Sequence, residues 1–192
     1  MTFGTLYYHP DYARSNWLVA LGDYLGLTIE GKVAADSTEF PESFPLKRTP
    51  AFISSDGFKL TESLAIAFYI VNSSSKPEIA GKTVQEQANN WRWYSYLTSD
   101  MVNHVGSIYF AKTEEEKASA VETMNKNLEY IDNRLSDFKF LVGDTILVCD
   151  IFARSYFRML QHFKVDFSNY KNIENYVSVV AKHPIFSETK HE

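Results

Sequence analysis

The sequence predicts an α+β domain, a mixed four-stranded sheet with helices, followed by an all-α domain. Three observations carry this. Short apolar runs of strand length alternate with helical spacings up to Asn72. The stretch Asn72-Ser73-Ser74-Ser75-Lys76-Pro77 is polar and ends in proline, as a linker does. Beyond it every substantial pattern has helical spacing. The expected boundaries are residues 1–74 for the first domain and 82–192 for the second.

In order, Gly4 to Tyr8 reads as a first strand, and His9-Pro10-Asp11 as a loop. Arg14 to Leu25 has helical spacing through Trp17, Leu18, Leu21 and Tyr24, with Gly26 placed to stop it. Thr28 to Val33 is a second strand, interrupted by Gly31, and Ala34 to Ser43 a loop or one loose helical turn. Ala51-Phe52-Ile53 and Phe58-Lys59-Leu60 form a hairpin about the turn Ser55-Asp56-Gly57. Pro50 opens the first of these strands, where a missing N–H is tolerable. Thr61-Glu62-Ser63 then opens a helix with Leu64, Ile66, Ala67, Phe68 and Ile70 on a broad buried face. The order β-α-β-(α)-β-β-α is the thioredoxin-like order.

In the second part, Val84 to about Phe110 is one long candidate helix, with Gly106 as the residue that bends or breaks it. Thr113-Glu114-Glu115-Glu116 is a capping-box signature. The helix it opens carries Ala118, Val121, Met124, Leu128, Ile131 and Leu135 as one apolar stripe, which is a packing face. Helices over Val148 to Phe163 and Ile173 to Ala181 follow, the last stopped by His183-Pro184.

Composition excludes several classes of function. The chain has 192 residues, 45% hydrophobic and 22% charged, which is ordinary globular composition. A net charge of −5, with no run of Lys or Arg, gives no electrostatic footprint for nucleic acid or an anionic membrane. The N-terminus lacks the pattern of a signal peptide, and no apolar stretch approaches a membrane span. One cysteine, Cys149, excludes an internal disulfide framework, and the five histidines show no metal-ligand spacing. A cytoplasmic protein without a metal is expected.

The chemistry concentrates between Phe44 and Asn72. A segment beside Pro50 offers strand-type hydrogen bonds, the helix start at Glu62-Ser63 offers N–H groups, and Lys47-Arg48 offers charge. Those groups suit a peptide-like anion. A solvated basic pair beside a packed hairpin is the plainer alternative.

FPLKRTPAF followed by GFKLTESLAIAFYI resembles the glutathione-binding half of the glutathione transferase superfamily. Within it, the stretch is most similar to the transferase-like N-terminal module of the elongation factor 1 gamma subunit, with Arg48 where that family usually has Lys and Thr49 where it has Val. Phe140-Leu141-Val142-Gly143 with Asp150 resembles a second family segment. There the usual Ser or Thr N-cap is replaced by Leu147, which predicts a helix start weakened by about 1 kcal/mol.

The resemblance implies a glutathione transferase fold and a residue-by-residue assignment. Thr49, before a cis Pro50, would pair its backbone with the cysteinyl part of glutathione. Glu62 and Ser63 would hold the γ-glutamyl group, and Arg48 with Lys47 the glycyl carboxylate. Asp100 matches a family position that reaches the γ-glutamyl amine, often across a dimer interface. Tyr8 and Tyr12, with Arg14 as a cationic neighbour, are the candidates for activating the thiol, whose thiolate is the nucleophile; Tyr7 and Ser15 are further hydroxyls in the same stretch. The electrophile would be selected around Met101 to Tyr109. Two functions follow as expectations. One is a homodimeric glutathione transferase. The other is an interaction module docking exchange-factor or other translation-factor subunits, against which the chain's end at Glu192 counts, because gamma subunits continue into a further domain.

Overall fold

The structure, a computed structural model, describes residues 2–186. These form two compact units, one running to Ile79 and resuming at His183, the other spanning Ala80–Lys182.

In the first unit the elements are β1 (Gly4–Tyr8), α1 (Leu18–Tyr24), β2 (Ile29–Val33), α2 (Glu39–Ser43), β3 (Ala51–Ser54), β4 (Lys59–Thr61) and α3 (Ser63–Asn72). The sheet order is β2-β1-β3-β4, with β1 and β2 parallel and the other pairs antiparallel. This is the mixed thioredoxin-like sheet that the element order predicts. Helix α1 packs on β2 and α3, and α3 packs on the β3–β4 hairpin. Leu6, Leu18, Leu21, Phe52, Ile66 and Ile70 are fully buried, each contributing about 1.5–3 kcal/mol of transfer free energy. Tyr7 points the other way, into a small cluster with Phe40, Phe44 and Ala51 beside α2.

Two local differences from the sequence reading have clear causes. Helix α1 begins at Leu18, not Arg14, because residues 9–16 are folded into turns around the buried Ser15 hydroxyl, which donates to the carbonyls of His9 (2.9 Å) and Tyr12 (3.2 Å). Gly31 does not interrupt β2 but makes room: a Cβ there would lie 3.0 Å from Val19 Cγ2 and 3.2 Å from the Tyr8 ring. In the hairpin, Gly57 takes φ 89°, a conformation that side chains disfavour.

The second unit contains α4 (Val84–Tyr96), α5 (Val102–Tyr109), α6 (Glu114–Asp137), α7 (Val148–His162) and α8 (Lys171–Val180). The long helix expected over 84–110 runs without a gap to Tyr109, but widens into a π-helical turn at Leu97–Met101, and Gly106 lies inside α5. Hydroxyls accompany the widening. Thr98 Oγ1 donates to the Tyr94 and Ser95 carbonyls at 3.0 and 3.1 Å, and Ser99 Oγ donates to the Ser95 carbonyl at 2.8 Å. Such back-bonding competes with the helical ladder and bends it. Helix α6 starts at Thr113 as predicted, its hydroxyl accepting the Glu116 N–H at 3.1 Å, while Glu116 reaches one residue further back, to the Lys112 N–H. Of its apolar stripe, Met124, Leu128, Ile131 and Leu135 are buried and Val121 is exposed. A complete capping box, Thr83 with Glu86, opens α4.

Helix α7 has no side-chain cap of its own at Leu147, and its neighbours supply the missing partners. Asn90 of α4 accepts the Cys149 N–H through Oδ1 at 2.9 Å, and Asp150 accepts the N–H groups of Leu147 (2.9 Å) and Leu141 (3.0 Å). The Tyr176 hydroxyl of α8 donates to Asp150 at 2.8 Å. All four residues, Asn90, Cys149, Asp150 and Tyr176, are buried. The Cys149 thiol is a fourth donor to Asp150, at 3.8 Å. Burial is the largest influence on the Asp150 carboxyl and outweighs all four donors, pushing it up to about 6. The Cys149 thiol is also pushed up by burial, which makes it an inert core group.

Candidate functional site

Strand register gathers the predicted binding residues at one end of the sheet of the first unit. Ala51, the first residue of β3, pairs with Tyr7 of β1 on one side and Thr61 of β4 on the other. The residues just beyond these, Tyr8-His9, Thr49-Pro50 and Glu62-Ser63, therefore lie side by side at strand spacings of about 5 Å. The Thr49–Pro50 peptide is cis. Pro50 is buried, Thr49 half-buried, and Lys47, Arg48 and Glu62 are exposed. The segment before Pro50 thus presents two cations and a strand-like backbone at the mouth of the site.

The backbone is held in uncommon conformations at two of these residues. Lys47 has φ 51°, and Glu62 has φ 68° with ψ 122°. Left-handed φ at a residue other than glycine costs on the order of 1–3 kcal/mol and is concentrated at sites where the chain is shaped for a purpose. At Glu62 this turn ends β4 and starts α3 within one residue, aiming the first turn of α3 at the site. No side chain caps α3, and the N–H groups of a first helical turn have no intrahelical acceptor. An end of this kind can take an anion. The buried Ser63 hydroxyl donates to the Arg14 main-chain carbonyl, tying the start of α3 to the β1–α1 loop. An anion seated there would compete with that carbonyl for the hydroxyl proton.

The candidates for thiol activation fall into distinct environments. Tyr7 is fully buried, donates its hydroxyl to Glu39 Oε2 at 2.6 Å, and is pushed up to about 12 by burial and by that carboxylate. It stays protonated and faces α2, away from the loop. Ser15 is fully buried and committed to the loop's own backbone. Tyr8 is half-buried and lies over Gly31. Tyr12 is 55% exposed, its ring stacked on His9 with centroids 3.9 Å apart and planes 11° apart. Arg14 is half-buried in the same loop.

Asp100 belongs to the second unit, exposed in the π-helical turn. Within the 101–109 stretch expected to select an electrophile, Met101 and Val105 are core residues. The exposed aromatics are Tyr109 (64%) and Phe110 (75%), next to Phe163. The sequence motifs do not single out His9, which follows β1 directly in a Tyr-Tyr-His-Pro run, or Phe163.

Comparison with known proteins agrees with this geometry. The family model of the glutathione S-transferase N-terminal domain matches residues 3–72, and that of the glutathione S-transferase C-terminal domain matches residues 70–184. Glutathione S-transferase Y-2 of Pichia kudriavzevii is 45% identical over 188 residues, covering 96% of this chain and 98% of its own. A crystal structure of a glutathione S-transferase from the same organism superposes with a TM-score of 0.84 at 44% identity, over 98% of this chain and 96% of its own. Elongation factor 1-gamma 1 of Saccharomyces cerevisiae is 30% identical over 175 residues, covering 82% of this chain but 41% of that longer protein. Matched across both domains, and along nearly its whole length by a relative of the same size, the chain belongs to the glutathione S-transferase family.

Proposed function

We propose that the protein binds glutathione at the end of the first unit's sheet and conjugates it to electrophilic small molecules. The observation that supports this is the convergence of three anion- and peptide-complementary elements on Ala51: the backbone before cis Pro50, the Lys47-Arg48 pair, and the uncapped start of α3. Thr49 would align the cysteinyl backbone, Glu62 and Ser63 the γ-glutamyl end, and Lys47 and Arg48 the glycyl carboxylate. The thiol would then lie in front of the loop carrying Tyr8, Tyr12 and Arg14.

Calorimetric titration with glutathione, followed by conjugation to an activated chloronitroarene, tests the reading. Absence of binding at millimolar glutathione would sink it. Arg48→Ala removes an exposed charge from the mouth and should weaken glutathione about fivefold, which corresponds to about 1 kcal/mol. The likeness to elongation factor 1-gamma supports a second reading, docking of a translation-factor subunit. Capture of purified exchange factor, undiminished in Arg48→Ala, would favour it.

A homodimer belongs to the same proposal. Phe58 (48% exposed), just before the edge strand β4, and Phe68 (51% exposed) of α3 are large apolar side chains on the surface of the first unit. Exposed apolar side chains of this kind favour association. Light scattering should give twice the chain mass for the natural protein and a monomer mass for the Phe58→Ser, Phe68→Ser double variant. A monomeric natural protein refutes it.

A further inference from the structure

Resting on the glutathione reading above, we infer that His9 supplies the hydrogen bond that holds the glutathione thiolate, through its Nε2–H. The residue is fixed from three sides. Its backbone N–H donates to the buried Ser15 Oγ at 3.2 Å, and that same hydroxyl donates back to the His9 carbonyl at 2.9 Å. Its ring lies flat on the Tyr12 ring, 3.9 Å between centroids. Its Nδ1 accepts the Asp11 N–H at 3.3 Å, with the Asp11 carboxylate 4.0 Å away. A neutral imidazole that accepts at Nδ1 carries its proton on Nε2. Among the described residues, Nε2 is the one polar atom of His9 with no protein partner.

Register places that atom's owner in the right part of the cradle. Gly4 of β1 faces Ser54 of β3 and Tyr7 faces Ala51, so the same antiparallel register, carried past the strand end, brings His9 opposite Thr49. Thr49 is the residue whose backbone takes the cysteinyl unit in the proposed cradle. A donor carried on the facing segment is therefore nearer to the place of the ligand's sulfur in that cradle than to the places of its carboxylates. The bond from Ser63 to the Arg14 carbonyl anchors the far end of the loop, so the loop cannot swing His9 away without breaking into α3.

The chemistry balances without a further reactant. The thiol releases its proton to solvent, and His9 Nε2–H donates to the sulfur anion that remains. The sulfur lone pair forms the new bond to the electrophilic carbon, and the leaving group departs with its bonding pair. Tyr12 serves as the platform that orients the ring, and Asp11 fixes the tautomer. Both are positioning residues.

The test compares His9→Asn, His9→Gln, Tyr12→Phe and Tyr8→Phe by ultraviolet titration of the thiolate of bound glutathione, by calorimetry and by chloronitroarene conjugation. His9→Asn keeps an acceptor near the Asp11 N–H but loses the Nε2 donor. It should raise the bound thiol's pKa by about one unit and lower kcat/KM near pH 6.5 on the order of tenfold, because only the thiolate attacks. Glutathione Kd should change less than about threefold, since binding energy comes from the other end of the ligand. His9→Gln, which returns an amide donor near the Nε2 position, should recover part of the loss, and it carries the test if circular dichroism shows His9→Asn misfolded. An unchanged thiol pKa in His9→Asn overturns the inference, as does an equal loss in Tyr8→Phe, which would assign the donor to a hydroxyl. A natural protein that binds no glutathione would instead overturn the proposed function on which the inference rests.

Discussion

Replacing Asp150 by alanine should cost the folded protein roughly 3–5 kcal/mol, the largest single effect expected anywhere in the chain. The carboxylate is the acceptor for the Leu141 and Leu147 N–H groups and the Tyr176 hydroxyl, all buried. Truncation strands these three donors in apolar surroundings, at about 1–3 kcal/mol each before relaxation, together with the weaker Cys149 thiol donor. Total stabilities of domains this size are about 5–15 kcal/mol, so the variant should unfold at markedly lower urea concentration. A midpoint within experimental error of the natural protein would show that the network is dispensable. The pH dependence has a definite sign. Burial raises the folded-state carboxyl to about 6, above its ordinary value of 3.8. Its contribution to stability is fully present below the ordinary value and is lost as pH rises through about 6. Relative to Asp150→Asn, which does not titrate, the natural protein should therefore lose stability across that window. A flat difference would refute the shift.

Ser63→Ala should weaken glutathione binding roughly ten- to a hundredfold, the range expected for a hydrogen bond to a charged group. The hydroxyl stands at the start of α3 and is also the tie to the Arg14 carbonyl. On the proposed reading the substitution removes a ligand contact, and it also releases the tie that holds the β1–α1 loop. Both losses should appear in calorimetry as weaker binding. Stability should fall by only about 1 kcal/mol, the usual net worth of one hydrogen bond. A Kd within twofold of the natural protein would place the γ-glutamyl carboxylate elsewhere.

The parts legible in the sequence are those written in local chemistry. Gly4–Tyr8 is a strand as its short apolar and aromatic run suggests, Ser55-Asp56-Gly57 turns the hairpin, and Thr113 caps α6. The Thr83-Val84-Gln85-Glu86 box is equally local and equally readable. What could not be read depends on partners distant in sequence. Leu147 looks like a lost cap, and nothing near it announces that Asn90, 59 residues earlier, accepts the Cys149 N–H in its place. Helical spacing from Arg14 predicts about one turn of helix that the structure lacks, because the Ser15 hydroxyl outbids the ladder for His9 and Tyr12. For the site, the motif singles out candidate binding residues but not the environments of the tyrosines. Only the fold separates Tyr7, locked to Glu39, from Tyr8 on the opposite face.

The wide turn at Leu97–Met101 has a bearing on how this helix can change in length. Tyr94, Leu97, Met101 and Val105 all face inward, at steps of three, four and four. In an uninterrupted α-helix each four-residue step overshoots a full turn by about 40°, so Val105 would drift towards the side. The wide turn absorbs the surplus residue and resets the phase. Deleting one residue between 97 and 101 would restore a straight α-helix and leave Val105, Tyr109 and Phe110 close to their present azimuth, drawn along the axis by about 1.5 Å. The segment thus acts as a phase adjuster: it takes up one residue more or less without re-aiming the aromatic end of α5.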